Sequence, residues 1–351
     1  MRLLLTLSFA TSLLQALTMP TLALYAYSLG FSEAEVGAIA GVSSLVYVAA
    51  TFSAAPLVRK LSTRGAVTVA LLSLCIGYLS HPMSRNFLNL LAAASVVFAG
   101  FGLLWPSIEV AVAASGGNAS NFSFSWSSGS LVGTALVSPF AELGALRLYV
   151  IYAVLSSSLL LGVKRFPLGE GKYGYGASKP ALELLGAWLL CVSYASSSAG
   201  FLTFYPVLVE RNGLPRSNIS LILFSMIAAR TAGFYFYERF PSIVKSAHAS
   251  MPLLLTPLAV PLSDSSLFHV VVAVLAGVGQ SLVYSSALTT IFKAGGVASH
   301  TAAFEASIGL GYVVGPIVGG VSGVAGLEPI PATALLASVL AVAAGLRETA
   351  K

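Results

Sequence analysis

Charge is scarce in this chain. Its 18 Lys and Arg and 12 Asp and Glu make up 9% of 351 residues, against roughly 25% in an ordinary soluble domain. So few charges cannot cover a soluble protein of this length, which excludes a soluble enzyme. Cysteine is nearly absent too. Cys75 and Cys191 sit in apolar stretches with no C-x-x-C pairing, so they read as packing residues and a disulfide scaffold is excluded. The four histidines (His81, His248, His269 and His300) show no metal-ligand spacing. H-E-x-x-H, nucleophile-elbow and Walker A sequences are all missing. The chain is therefore not expected to be an enzyme or an ATP-driven pump, and neither metal nor cofactor is expected.

What the sequence has in excess is hydrophobic side chains, 57% of residues, with a mean hydropathy of +0.89. The pI near 9.3 does not signal nucleic acid, because the positive residues lie in short loops and form no stripe. The expected surroundings are a lipid bilayer, and the expected fold class is all-α, because spanning helices satisfy their own backbone groups. Windows of about 20 mostly apolar residues predict twelve spans, at 3–28, 34–57, 65–82, 87–112, 120–141, 145–163, 183–208, 217–238, 246–262, 266–292, 298–323 and 330–346. The first is too long for the apolar core of a signal peptide. The ninth is the weakest, being short and holding Pro252, Pro257 and Pro261. Short connectors make neighbouring helices antiparallel. One long basic, Gly-rich loop, 164–182, separates residues 1–163 from 183–351. Within it Gly169-Glu170-Gly171-Lys172-Tyr173-Gly174 spells G-x-G-x-x-G, but no strand precedes it, so no dinucleotide site is expected.

Lys and Arg also predict orientation. With the N-terminus inside, the cytoplasmic loops and ends hold Arg2, Arg59, Lys60, Arg64, Lys164, Arg165, Lys172, Lys179, Arg239, Lys245, Lys293, Arg347 and Lys351. The opposite side holds Arg85, Arg147, Arg211 and Arg216, and Arg230 stays within a span. A multi-pass protein of the cell membrane with both termini cytoplasmic is expected.

The two parts repeat. Ala99-Gly100-Phe101-Gly102 in span 4 matches Ala276-Gly277-Val278-Gly279 in span 10. Phe124, Ser127 and Gly129 match Phe304, Ser307 and Gly309, and Gly30, Phe31 and Val36 match Gly213, Leu214 and Ile219. Offsets of 177, 180 and 183 residues suggest a six-plus-six duplication. Parallel repeats of this kind mark alternating-access transporters, with the site between the halves.

Three stretches resemble the major facilitator superfamily. They are Leu29-Gly30-Phe31-Ser32 with Val36-Gly37, the Gly100-Phe101-Gly102 of span 4 followed by Pro106, and 311–320, GYVVGPIVGG. The family's loop between spans 2 and 3 usually reads G-x-x-x-D-R/K-x-G-R-R/K. Here it reads Ala55-Pro56-Leu57-Val58-Arg59-Lys60-Leu61-Ser62-Thr63-Arg64. Arg59 replaces the acid and the glycines are gone, while Lys60 and Arg64 remain. The G-P…G-G pattern, associated with drug antiporters when in span 5, lies here in span 11. Gly311, Gly315, Pro316, Gly319 and Gly320 are therefore read as helix-packing residues, and antiport is not implied.

The resemblance implies a cavity lined by spans 1, 4, 7 and 10. Gln15 is mid-span 1, Phe101 and Trp105 are four apart in span 4, and Tyr194, Ser197 and Phe201 share a face of span 7. Gln280 and Tyr284 are four apart in span 10. Amides, hydroxyls and aromatic faces suit a neutral or amphipathic solute. The same groups also serve as interhelical hydrogen bonds.

Ionisable residues inside spans are costly, and each needs a reason. Glu109 lies about one turn from the cytoplasmic end of span 4 and is expected to pair with the gate-loop cations Arg59, Lys60 and Arg64, a role the resemblance also implies. Arg230 and Glu305 lie roughly 13 and 10 Å deep from the same face, at 1.5 Å per residue. Three readings stay open. They pair with each other, Arg230 holds an anionic group of the solute, or Glu305 is a proton site. The expected function is secondary transport of a small solute by rocking between inward- and outward-open states, with or without proton coupling, by a functional monomer. The alternatives are a passive facilitator and a non-transporting scaffold or sensor on the same fold.

Overall fold

A computed structural model describes residues 2–115, 119–168, 182–239, 250–293 and 297–349. Among them all regular structure is helical: α1 Arg2–Ser28, α2 Glu33–Ser80, α3 Phe87–Ala114, α4 Ala119–Ala135, α5 Val137–Ala141, α6 Ala145–Gly162, α7 Leu185–Arg211, α8 Ser217–Arg239, α9 Met251–Leu254, α10 Ser266–Lys293, α11 Val297–Val324 and α12 Pro329–Thr349. Nine helical stretches among the described residues are long and apolar enough to cross a membrane. The twelve expected passes follow once three departures are read. α2 is long enough for two passes, the fifth pass is split into α4 and α5, and the ninth is broken. Among its described residues the ninth has α9 followed by a 3-10 stretch, Thr256–Leu262. Its three prolines remove backbone donors that a continuous α-helix needs. Most of the central loop, residues 169–181 with the G-x-G-x-x-G stretch, lies outside the described residues.

The expected loop between spans 2 and 3 contracts to a kink, at which Ser62 parts the two helical stretches of α2. Ser62 alone leaves helical geometry, at φ 66° and ψ 167°. It occupies the place of the second glycine in the loop pattern. The fold still demands there the left-handed backbone that glycine adopts freely.

Helix ends follow local chemistry. At the start of α2 the Ser32 side chain accepts from the Glu35 N–H at 3.3 Å, and Glu35 accepts from the Ser32 N–H at 2.8 Å, a reciprocal capping box. Gly30 and Gly213 have φ of +86° and +64°. After α1, Gly30 N donates to Tyr27 O and Phe31 N to Ala26 O; after α7, Gly213 N donates to Glu210 O and Leu214 N to Val209 O. The pattern is one helix-ending motif, repeated 183 residues apart.

Packing repeats in the same way. A Cβ on Gly129 would lie 2.2 Å from Phe9 O, and one on Gly133 would lie 2.7 Å from Leu13 O. In the second half a Cβ on Gly311 would lie 2.6 Å from Val192 O, and one on Gly315 would lie 2.7 Å from Ser196 O. α4 thus grips α1 as α11 grips α7, through glycines 182 residues apart. The offset of 180 read between these helices from Phe124 and Phe304 is short by two. The molecule is two six-helix halves built alike.

α7 is the most enclosed helix, with 83% of its central window buried, against 33% for α6 and α8. α6 turns Leu146, Val154 and Leu161 outward, as a lipid-facing helix must. The interior therefore belongs to the helices that line the site.

Candidate functional site

A cavity of about 110 Å³ lies between the halves. Each wall is one helical face. α1 contributes Ser12, Gln15, Ala16 and Met19; α3 contributes Phe98, Phe101, Trp105 and Glu109. α4 presents Phe122, Trp126, Ser130 and Thr134, each four residues on from the last. α11 presents Glu305, Ile308 and Tyr312. Tyr47 comes from α2, Tyr194 from α7, Arg230 from α8 and Tyr284 from α10. These spacings of three, four and seven are one stripe of a helix.

Five of the eight cavity residues expected from sequence line this space: Gln15, Phe101, Trp105, Tyr194 and Tyr284. Trp105 Nε1 donates to Gln15 Oε1 at 2.7 Å, tying α3 to α1. The ring centroids of Tyr194 and Tyr284 are 4.9 Å apart. Ser197, Phe201 and Gln280 are not in the wall. Gln280 Nε2 donates to Ser197 Oγ at 3.1 Å and contacts Met226 Sδ at 3.5 Å, so this pair ties α10 to α7 and α8. Phe201 is buried beside Tyr205, ring centroids 6.2 Å apart. The G-P…G-G residues pack as expected. Gly311, Gly315 and Gly319 face α7, and Gly320 and the Pro316 carbonyl face α2.

The charged residues are rearranged relative to expectation. Arg230 and Glu305 do not pair, since none of the ion pairs among the described residues joins them. Arg230 is 3% exposed. Its guanidinium carbon lies 5.9 Å from the Trp126 ring and 5.4 Å from the Tyr194 ring. Nη1 donates to Ser198 Oγ at 3.3 Å, and Nε is buried without a partner. Glu305 instead accepts from the Tyr47 hydroxyl. Glu109 does not meet Arg59, Lys60 and Arg64, which are exposed on α2. It turns inward, within hydrogen-bonding reach of the Glu305 carboxyl. The three cations flank the kink at Ser62 and are exposed there.

Sequence reasoning missed Tyr47, Phe98, Phe122, Trp126 and Tyr312. Phe122 and Trp126 are four apart, Phe98 is seven before Trp105, and Tyr312 is seven after Glu305. Helical spacing from residues already singled out was the available signal. Tyr47 had none.

At one end of the cavity the halves close on each other. Arg211 Nη1 meets Glu33 Oε1 at 2.7 Å and its Nη2 meets Glu328 Oε2 at 2.7 Å. A Cβ on Gly37 would lie 2.3 Å from Pro316 O. Ser138 Oγ donates to Arg216 O at 2.7 Å and accepts from Ser220 N at 3.0 Å. Tyr47, which donates to Glu305, lies ten residues along α2 from Gly37, toward Arg59.

No family model and no curated protein sequence matches the chain. Solved structures do match. Two crystal structures of the nucleoside transporter NupG, one of them a point mutant, superpose with TM-scores of 0.76 and 0.77 at 16% identity, covering 99% of this chain and 98% of that one. A bacterial homologue of the human lysosomal transporter Spinster, inward-facing and unoccupied, has a TM-score of 0.72 at 14% identity, over 98% of this chain and 93% of that chain. At such identity the likeness is one of fold. The fold is that of these transporters, and it is the fold the sequence resemblance implied, in a multi-pass membrane protein.

Proposed function

We propose that the chain is a secondary transporter that moves a small solute across the cell membrane by alternating access, coupled to protons and working as a monomer. Its moving bodies are residues 1–163 and 183–351, joined by 164–182. The Arg59 end faces the cytoplasm, in keeping with the excess of Lys and Arg there. One observation carries the reading. The cavity lies between the halves, and the contacts Arg211–Glu33, Gly37–Pro316 and Ser138–Arg216 that close its Glu33 end join one half to the other. Rocking the halves breaks those contacts without unfolding either. The state described is closed outside, like the inward-facing Spinster homologue.

Proton coupling is supported by the facing carboxyls. Glu305 is 7% exposed, and Glu109 Oε2 is buried and accepts no hydrogen bond from an amide, a hydroxyl or a cation. Two carboxylates at such a distance repel too strongly for both to ionise, so the pair holds a proton between them. That proton turns the contact into a hydrogen bond across the two halves.

Purified protein in liposomes tests the reading. Labelled uridine, suggested by the nucleoside transporter of like fold, and a labelled aromatic acid serve as first solutes. Saturable counterflow of either is expected. An inward proton gradient should drive accumulation in wild type. Glu305→Gln should keep counterflow and lose the gradient-driven part. Accumulation by Glu305→Gln equal to wild type would sink proton coupling, and flux without saturation or counterflow would sink the transporter.

A further inference from the structure

Resting on the transporter reading, we propose that the cavity takes a monovalent organic anion carrying an aromatic ring. Arg230 holds its charge, and its binding brings a second proton onto the Glu109–Glu305 pair.

Arg230 is the one basic residue in the cavity wall among the described residues, and a buried guanidinium without a counter-ion is costly. It has five N–H donors. One hydrogen bond, to Ser198, is made. The rings of Trp126 and Tyr194 soften its charge but accept no pair of hydrogen bonds. A carboxylate or sulfonate would take two donors side by side, the geometry a guanidinium suits best. One cation allows one negative charge. The rest of the wall is aromatic, with Phe98, Phe101 and Trp105 from α3 and Phe122 and Trp126 from α4. Rings stack against such faces at little cost in specificity.

The proton follows from counting charge. With one proton shared, the acid pair is −1 and Arg230 is +1, so the empty cavity is neutral. The other groups facing the acids are Tyr47 from α2, Cys191 and Tyr194 from α7, Tyr284 from α10 and Tyr312 from α11. None of these residue types carries charge near neutral pH. An anion entering makes the cavity −1 in a low-dielectric setting, where that charge acts strongly on the pair. Uptake of a second proton restores neutrality. Linkage is reciprocal, so a lower pH must tighten anion binding.

Benzenesulfonate, ionised at every pH used, and its neutral counterpart benzenesulfonamide separate the possibilities. Equilibrium binding to the purified full chain is read by tryptophan fluorescence, since Trp105 and Trp126 line the cavity. The sulfonate should bind at least about tenfold more tightly than the sulfonamide. Its affinity should rise several-fold between about pH 8 and pH 6 in wild type, and should stay flat when both acids are replaced, Glu109→Gln together with Glu305→Gln. Arg230→Gln should lose the preference for the anion and Arg230→Lys should keep part of it. The wild-type comparison of the two probes decides even if a variant folds poorly. Equal binding of both probes, undiminished sulfonate binding by folded Arg230→Gln, or no saturable binding of the sulfonate would overturn the anion site. A flat pH response in wild type would overturn the second proton. Sulfonate binding with no counterflow of any solute would retire the transporter reading and leave the anion site standing. Uridine counterflow without sulfonate binding would do the reverse.

Discussion

Ser62 carries a backbone angle that side chains avoid. At φ 66° and ψ 167° it lies in a region used almost only by glycine, at a cost of order 1–3 kcal/mol. Its side chain is exposed and makes one weak contact, accepting from Gly65 N at 3.4 Å. Ser62→Gly should therefore raise the unfolding temperature of the detergent-purified protein, and an unchanged or lower temperature would mean that the kink is not strained. Gln280 shows the opposite relation of residue to fold. Its amide fits a substrate site on paper, but its Nε2 is used up by Ser197 and Met226. An i, i+4 pair says that Gln280 and Tyr284 share a face. It does not say whether a residue at the edge of that face meets the cavity or the next helix.

At the scale of elements, glycine spacing decides how closely helices approach. Two classes of contact are present. Gly129, Gly133, Gly311 and Gly315 lie against helices of their own half. Gly37 and Gly320 lie against the other half, Gly37 at Pro316 and Gly320 at Glu33 and Ala34. A methyl group in either place collides with backbone, which cannot move aside cheaply. Gly311→Ala should destabilise its half by about 1–3 kcal/mol, the usual cost of overpacking, read as a lower unfolding temperature. Gly37→Ala should leave that temperature near wild type and hold the Glu33 end apart. A single cysteine placed at Ser44 in the cavity wall should then label faster from that side, because Cys75 and Cys191 are both buried. Equal labelling would show that α2 and α11 do not have to meet this closely to close the path.

For the whole molecule, the Arg211 network and the acid pair act on the same rocking motion from different depths. The Arg211 side chain is 33% exposed, and Glu33 and Glu328 are 19% and 36% exposed. Pairs of this kind contribute about 0–1 kcal/mol each and weaken in salt. Arg211→Ala should shift the balance a few-fold toward opening of the Glu33 end, measured as a longer distance between spin labels on Ser32 and Asn212. High salt should move wild type in the same direction. No change in either would assign closure to the glycine contacts alone. The acid pair is deeper and drier, so its state answers to protons rather than to salt.

The sequence by itself determined the membrane, the helices, the two-fold repeat and four of the nine aromatic residues that line the cavity. These are matters of composition and period, and hydrophobic excess and helical spacing act over a few turns. It also marked Glu109, Arg230 and Glu305 as the costly charges. Which of them meet was decided by the tertiary structure. Position along the helices put Arg230 and Glu305 near one another, and both line the cavity. The missing quantity was rotation about each helix axis, which is set by how neighbouring helices interlock. That rotation turned Glu109 away from Arg59, Lys60 and Arg64 toward Glu305, brought Tyr47 to the same carboxyl, and left Arg230 facing the cavity among aromatic rings. Electrostatic partners across a half-to-half interface come from residues up to 258 positions apart, a separation over which no local pattern carries information.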